Sequence, residues 1–128
     1  MNHRIGVLGL HHDHIWGNLE ELQRLGDRAQ LVAAADTNRP LLDKFQADFG
    51  GAVHDDYRAM LDAEDLTAVY VFGSNQLSEE LTVAACERGL HCLVEKPMAA
   101  RLEGADRMLA AARAGGVRLV INLSLIHI

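Results

Sequence analysis

Nothing in this chain is arranged for a polyanion or a bilayer. Its 12 Lys and Arg are outnumbered by 18 Asp and Glu, the net charge is −6, and no basic cluster occurs. Nucleic acid and anionic membrane surfaces are therefore not expected partners. No apolar stretch approaches the roughly 18 residues that a membrane span needs. Met-Asn-His-Arg leads straight into an apolar strand, without the charged, apolar and small-residue regions of a signal peptide, so the expected location is the cytoplasm. Cysteine is scarce as well. Cys86 and Cys92 lie six apart, outside any C-x-x-C pattern and within apolar segments, which suits reduced core thiols better than a disulfide or metal pair.

What is present fits one domain. At 128 residues and 49% hydrophobic, the chain can bury roughly two-thirds of the surface its unfolded form exposes. Short runs rich in Val, Leu, Ile and Ala mark strands at Ile5-Leu10, Leu31-Ala35, Val53-His54, Ala68-Phe72, Cys92-Val94 and Arg118-Asn122. Helical stripes fall between them. Ile15, Leu19, Leu22 and Leu25 form one, and Leu41, Leu42, Phe45 and Phe49 form a second, opened by Pro40 and closed by Gly50-Gly51. Further helices are expected from Asp56 to Asp62, from Leu77 to Arg88 before Gly89, and from Arg101 to Ala114 before Gly115-Gly116. Strands that are apolar without alternation are covered on both faces, and right-handed crossovers then imply a parallel sheet between helical layers. The expected fold class is α/β, a Rossmann-type doubly wound sheet over residues 1–122.

Ligands of such sheets bind beyond the carboxyl ends of the strands. The first strand is followed by Gly9-Leu10-His11-His12-Asp13-His14, which aligns with G-x-G-x-x-G but keeps only the first glycine. One reading is a phosphate turn in which helix N-terminal amides meet a pyrophosphate and His12 or His14 adds a donor. A second is a metal site, since His12-x-His14 resembles the pair that opens the centre of amidohydrolase-type barrels. That reading needs further ligands from later strand ends, which His54 and His91 are not placed to supply, so no metal ligands are assigned. A third is histidines that merely solvate a helix end.

After the second strand, Asp36 stands 27 positions beyond Gly9 and is followed by Thr37, Asn38 and Arg39. A carboxylate here accepts hydrogen bonds from a ribose 2′-hydroxyl and repels a 2′-phosphate, favouring NAD, while Arg39 leaves NADP open. The alternative for this segment is a turn with helix-capping residues. Gly73-Ser74-Asn75 after the fourth strand is a loop where small groups could approach a dinucleotide. Asn122 closes the sixth strand on the same expected edge.

The fifth strand ends in Glu95-Lys96-Pro97, and here the chain resembles the cofactor domain of the Gfo/Idh/MocA family, whose hallmark is E-K-P. Asp56-Tyr57-Arg58-x-Met60-Leu61 is similar to that family's D-Y-x-x-M-L segment, and Ala85-x-x-x-Gly89-x-His91-x-Leu93 leads into the hallmark. The resemblance reaches about Asn122. It implies that Lys96 stands beside the nicotinamide and the substrate carbon as a catalytic ammonium, that Glu95 helps hold Lys96 or the nicotinamide ribose, and that Pro97 fixes the turn. Without it, the same three residues would be a surface ion pair before a proline-started helix. One departure is that Ser74 and Ser78 replace the proline and histidine of the family's T-P-x-x-x-H loop.

The resemblance further implies a hydride-transferring oxidoreductase acting on a sugar, polyol or related hydroxyl compound. Its proton acceptor, its substrate-binding sheet and its homo-oligomer contacts would lie in a second domain absent here, so this chain alone should bind cofactor and turn over little. Residues 123–128, Leu-Ser-Leu-Ile-His-Ile, match the translation of a transposon adapter used in sequencing libraries and are expected to be non-native. The competing functions are a non-catalytic nucleotide sensor and, more distantly, a metal-dependent hydrolase using His12 and His14.

Overall fold

The computed structural model describes residues 2–122, so the expectation for residues 123–128 lies outside the described residues. Six strands alternate with five helices: β1 (His3–Leu8), α1 (His14–Gln23), β2 (Ala29–Ala35), α2 (Arg39–Phe49), β3 (Ala52–His54), α3 (Tyr57–Ala63), β4 (Ala68–Val71), α4 (Asn75–Glu87), β5 (His91–Glu95), α5 (Leu102–Gly115) and β6 (Leu119–Asn122). The sheet order is β3-β2-β1-β4-β5-β6, and every pairing is parallel. The chain reverses its direction of growth between β1 and β4. That switch point is where a crevice opens beyond the strand ends.

Local chemistry sets the element boundaries. Asn38 caps α2 by accepting from the Leu41 amide at 3.2 Å, with Pro40 in the first turn, and Gly50 ends the helix at φ +75°. Asp56 caps α3 through the amides of Arg58 and Ala59, and Ser74 caps α4 through that of Leu77. Each side-chain oxygen satisfies a donor that the helix itself leaves unpaired. No helix among the described residues is long and apolar enough to cross a membrane.

Two cores flank the sheet. On one face Val7, Ala34 and Phe72 pack with Leu10 and with α1 and α2 through Ile15, Leu19, Leu42 and Phe45. On the other, Leu8, Ala35, Val69, Val71, Cys92 and Val94 pack with α3, α4 and α5 through Met60, Leu81, Met108 and Ala112. Cys86 and Cys92 are free thiols inside this second core, with sulfurs 4.0 Å apart. Burial pushes both thiol pKa values up.

Three sequence expectations need correction. The first strand stops at Leu8, because Gly9 turns to φ +100° and the segment leaves the sheet. Leu25 falls after α1 and is 43% exposed rather than continuing its buried stripe. Coverage of every strand on both faces also fails: on the α1 side of β4, β5 and β6, Tyr70 and Leu93 are only partly buried and Val120 is 53% exposed. Two helices span the three strands β1 to β3 and leave the other half of that face bare.

Candidate functional site at the carboxyl edge of the sheet

Gly9 holds the exit of β1 against the end of β4. A Cβ built there would lie 2.6 Å from the Phe72 carbonyl oxygen and 2.8 Å from the Gly73 nitrogen, so only glycine allows this approach. Its own amide donates to the Ala35 carbonyl at 2.9 Å. Leu10 is fully buried, and what it offers the turn is backbone, not side chain. The turn then delivers His11, His12 and Asp13 to the start of α1. Asp13 occupies the cap position with helical dihedrals and makes no side-chain cap bond, in contrast to Asn38, Asp56 and Ser74 on α2, α3 and α4. Asp13 thus leaves the positive end of α1 free of a carboxylate, and among the described residues only His12 Nδ1 approaches it, in a long 3.4 Å contact with the His14 amide, so the helix start stays open to an anion.

Asp36 anchors this turn from β2. It is 3% exposed, and its two oxygens accept from the Leu10 amide at 2.7 Å and the Asn38 amide at 2.9 Å, with His11 Nδ1 3.8 Å from Oδ2. Each carboxylate oxygen keeps a further acceptor lone pair. Thr37 is exposed and opens a cleft of about 250 Å³ shared with Tyr57, Leu77 and Leu81. Burial, and secondarily the Asp36 charge, raises the Tyr57 phenol pKa. Arg39 does not turn toward Asp36; it pairs with Asp43 along α2 at 3.1 Å. The capping alternative holds at Asn38, while Asp36 serves the loop rather than the helix.

The fourth, fifth and sixth strands close the edge. Gly73 is partly buried against Leu77 and Leu81, and Ser74 spends its hydroxyl on the α4 cap. Asn75 is the first residue of that helix. Ser78, buried, donates to the Ser74 carbonyl at 3.1 Å. Glu95 is 5% exposed at the end of β5; Oε1 accepts from the Lys96 amide at 2.9 Å and Oε2 from Asn122 Nδ2 at 3.3 Å. Lys96 and Pro97 are exposed beyond it, joined by a cis peptide. Glu95 meets the lysine's amide, and no helix starts at Pro97; the next begins at Leu102.

Across the switch point, His14 Nδ1 lies 3.8 Å from Glu95 Oε2, so the start of α1 and the end of β5 converge over β4. The His12 ring sits 4.7 Å from that of His14 and edge-on to Phe72. One ring nitrogen each from His12 and His14 and one oxygen of Glu95 lie within 4.8 Å of one another. This corrects the expectation that no later strand end supplies a third donor. The third donor is a carboxylate on a distant strand end rather than a histidine, and the family resemblance gives Glu95 a different role. Phe72 and Tyr57 were missed as site neighbours; their position directly after β4 and directly after the Asp56 cap was the available signal.

The fold and sequence recur among known proteins. A family model described as "Oxidoreductase family, NAD-binding Rossmann fold" matches residues 4–123. A 1-carboxy-3-chloro-3,4-dihydroxycyclohexa-1,5-diene dehydrogenase from Comamonas testosteroni is 41% identical over 98 residues, 76% of this chain and 25% of that protein. An inositol 2-dehydrogenase from Paracoccus denitrificans is 32% identical, covering 94% of this chain and 36% of its own. Among solved structures, the WlbA dehydrogenase from Bordetella pertussis, in complex with NADH and UDP-GlcNAcA, superposes with a TM-score of 0.90 at 29% identity, over 95% of this chain and 37% of that one. KijD10, a 3-ketoreductase from Actinomadura kijaniata in complex with NADP and TDP-benzene, gives 0.85 at 32% identity, over 95% and 37%. The chain spans between a quarter and two-fifths of the length of these four proteins. It belongs to the Gfo/Idh/MocA oxidoreductase family, whose NAD-binding Rossmann fold it adopts.

Proposed function

We propose that this chain is the cofactor-binding part of an NAD-dependent oxidoreductase that oxidises a hydroxyl, or reduces the matching carbonyl, of a sugar, polyol or related compound. The observation that carries the proposal is the start of α1, which its cap residue Asp13 leaves without a side-chain bond, drawn against the end of β5 by the approach of His14 to Glu95. Backbone amides of His11 to His14 would hold the pyrophosphate, with His12 or His14 as an added donor. Asp36 would accept from the adenosine ribose on its remaining lone pairs, and the cleft of Thr37, Tyr57 and Leu77 would take the adenine. With Arg39 held by Asp43, and with Arg58 in the cleft wall held by Glu80, a 2′-phosphate would meet the Asp36 carboxylate and no unpaired guanidinium, so NAD is preferred to NADP.

Bound nicotinamide supplies the hydride acceptor or donor. Lys96, on the exposed rim directly after Glu95, holds an ammonium where alkoxide charge develops on the substrate oxygen, and lowers the pKa of a neighbouring base. Glu95, fixed by the Lys96 amide and Asn122, orients that rim, and Pro97 sets its direction. The group that takes the hydroxyl proton is assigned to a second domain, together with the sugar pocket and the contacts of a homo-oligomer. Two facts support this: the relatives are longer, and the α1-side face of β4, β5 and β6 is bare at Leu93 and Val120. The chain alone then binds cofactor with little turnover. A cytoplasmic location, where thiols stay reduced, suits the free Cys86 and Cys92.

The test is a calorimetric titration of the 128-residue chain with NADH and NADPH, repeated with Asp36→Asn. Saturable heat with NADH, about tenfold weaker binding of NADPH, and loss of that preference in Asp36→Asn are expected. Absence of heat with either dinucleotide refutes the reading.

A further inference from the structure

Glu95 is a buried carboxylate with an incomplete electrostatic environment. Among the described residues its partners are two neutral donors, the Lys96 amide and Asn122 Nδ2, and the only side chain of potential positive charge within ion-pair distance is His14. A carboxylate so shielded from water is stabilised by a cation placed against its open side. The side chains turned toward it are imidazoles, and they come from a different part of the sheet, the turn after β1.

We infer that His12, His14 and Glu95 form a binding site for a divalent transition metal of the zinc type. The donor set is two imidazole nitrogens and one carboxylate oxygen. Calcium and magnesium call for six or more oxygens, whereas two imidazoles with a carboxylate suit zinc and leave a position open for water. The donor atoms already lie within 4.8 Å of one another, and tetrahedral zinc with bonds of about 2.0–2.1 Å needs them roughly 3.3 Å apart. The remaining closure falls on His14, whose side chain is 58% exposed, while Glu95 is held by the Lys96 amide and Asn122. The bonds from the Lys96 amide and Asn122 to the Glu95 oxygens are the outer partners that hold a ligating carboxylate in place. The His14 amide meets His12 Nδ1 at 3.4 Å, a long contact that coordination gives up at little cost.

The ion would occupy the mouth of the crevice that the proposed function gives to the dinucleotide. Resting on that reading, the inference extends to regulation: zinc and dinucleotide exclude each other. His14, at the third glycine position of a phosphate turn, and His12, two residues before it, would then make cofactor binding sensitive to free metal.

The experiment uses the 128-residue chain freed of metal by a chelator. Zinc is titrated calorimetrically, and cobalt(II) serves as a visible-absorption probe of tetrahedral coordination. One ion per chain with tetrahedral cobalt bands is expected, weakened about tenfold or more in His14→Ala and in Glu95→Gln and unchanged in His3→Ala. Should Glu95→Gln lose its circular dichroism, His12→Asn and His14→Asn on the partly exposed side of the site carry the test. Absence of tetrahedral cobalt bands, or zinc affinity equal in wild type and the His14 variants, overturns the site. In a second arm NADH is titrated at rising zinc. A proportional loss of NADH affinity that disappears in His14→Ala supports exclusion, and unchanged affinity in the metal-loaded chain overturns it. If NADH fails to bind even without metal, the dinucleotide reading falls and the zinc titration alone decides the site.

Discussion

Gly9→Ala probes the hinge on which the whole crevice depends. At φ +100° an L-residue incurs roughly 1–2 kcal/mol of backbone strain. The added methyl would sit 2.6 Å from the Phe72 carbonyl oxygen, 2.7 Å from its carbon and 2.8 Å from the Gly73 nitrogen. All three are backbone atoms at the end of a central strand, so no side-chain rotation relieves the clash, and forced displacement of packed structure adds about 1–3 kcal/mol. The sum, about 2–5 kcal/mol, is a large share of the 5–15 kcal/mol typical of a domain. Urea unfolding followed by the single tryptophan, Trp16, stacked on Phe49 in α1–α2 packing, reads it directly. Gly17→Ala is the internal control: its Cβ meets nothing within 4 Å inside α1, so that substitution should stabilise by about 0.5–1 kcal/mol. Equal stability of Gly9→Ala and wild type would refute the argument for a forced glycine.

Asp36→Ala removes the acceptor of the buried Leu10 amide and should cost about 1–3 kcal/mol in the same urea assay, together with most of the NADH affinity. Tyr57 and Tyr70, the only tyrosines, are harder to ionise in the folded chain because burial disfavours the phenolate, so ultraviolet titration should show both ionising above the usual value near pH 10. The unfolded chain then gives up its phenolic protons first; this contribution to stability is full below about pH 10 and declines above it, which urea midpoints across that range will record. Cys86 and Cys92, buried with raised thiol pKa values, should react with an aromatic disulfide reagent only after denaturant is added, releasing two equivalents per chain.

Much of this architecture was legible because its signals are local. Asn38 three residues before Leu41, Asp56 before Arg58 and Ala59, and Gly50 after Phe49 are caps whose effect is complete within a turn. Apolar runs such as Val69–Phe72 likewise read as central strands without knowledge of their neighbours. Lateral relations were harder to read. His14 meets Glu95 only because β4 inserts between β1 and β5 and a helix start leans across it, a relation set by strand order over 81 residues of sequence. Ser74 suggests a ligand contact although its spacing to Leu77 already fits a cap, and Arg39 suggests a guanidinium for a phosphate although Asp43 stands one helical turn away. In both cases a nearer partner won. The bare half-face at Leu93 and Val120 had no local signal, since a strand covered on one side by helices is apolar enough to look buried on both.

Backbone amide shifts of isotope-labelled chain titrated with NAD test the account most directly. It requires the largest changes in His11 to Trp16, in Thr37 and Asn38, and in Lys96 and Asn122, with little change along the outer turns of α5. Perturbations confined to the α3–α5 side of the sheet, or none at saturating dinucleotide, would contradict it.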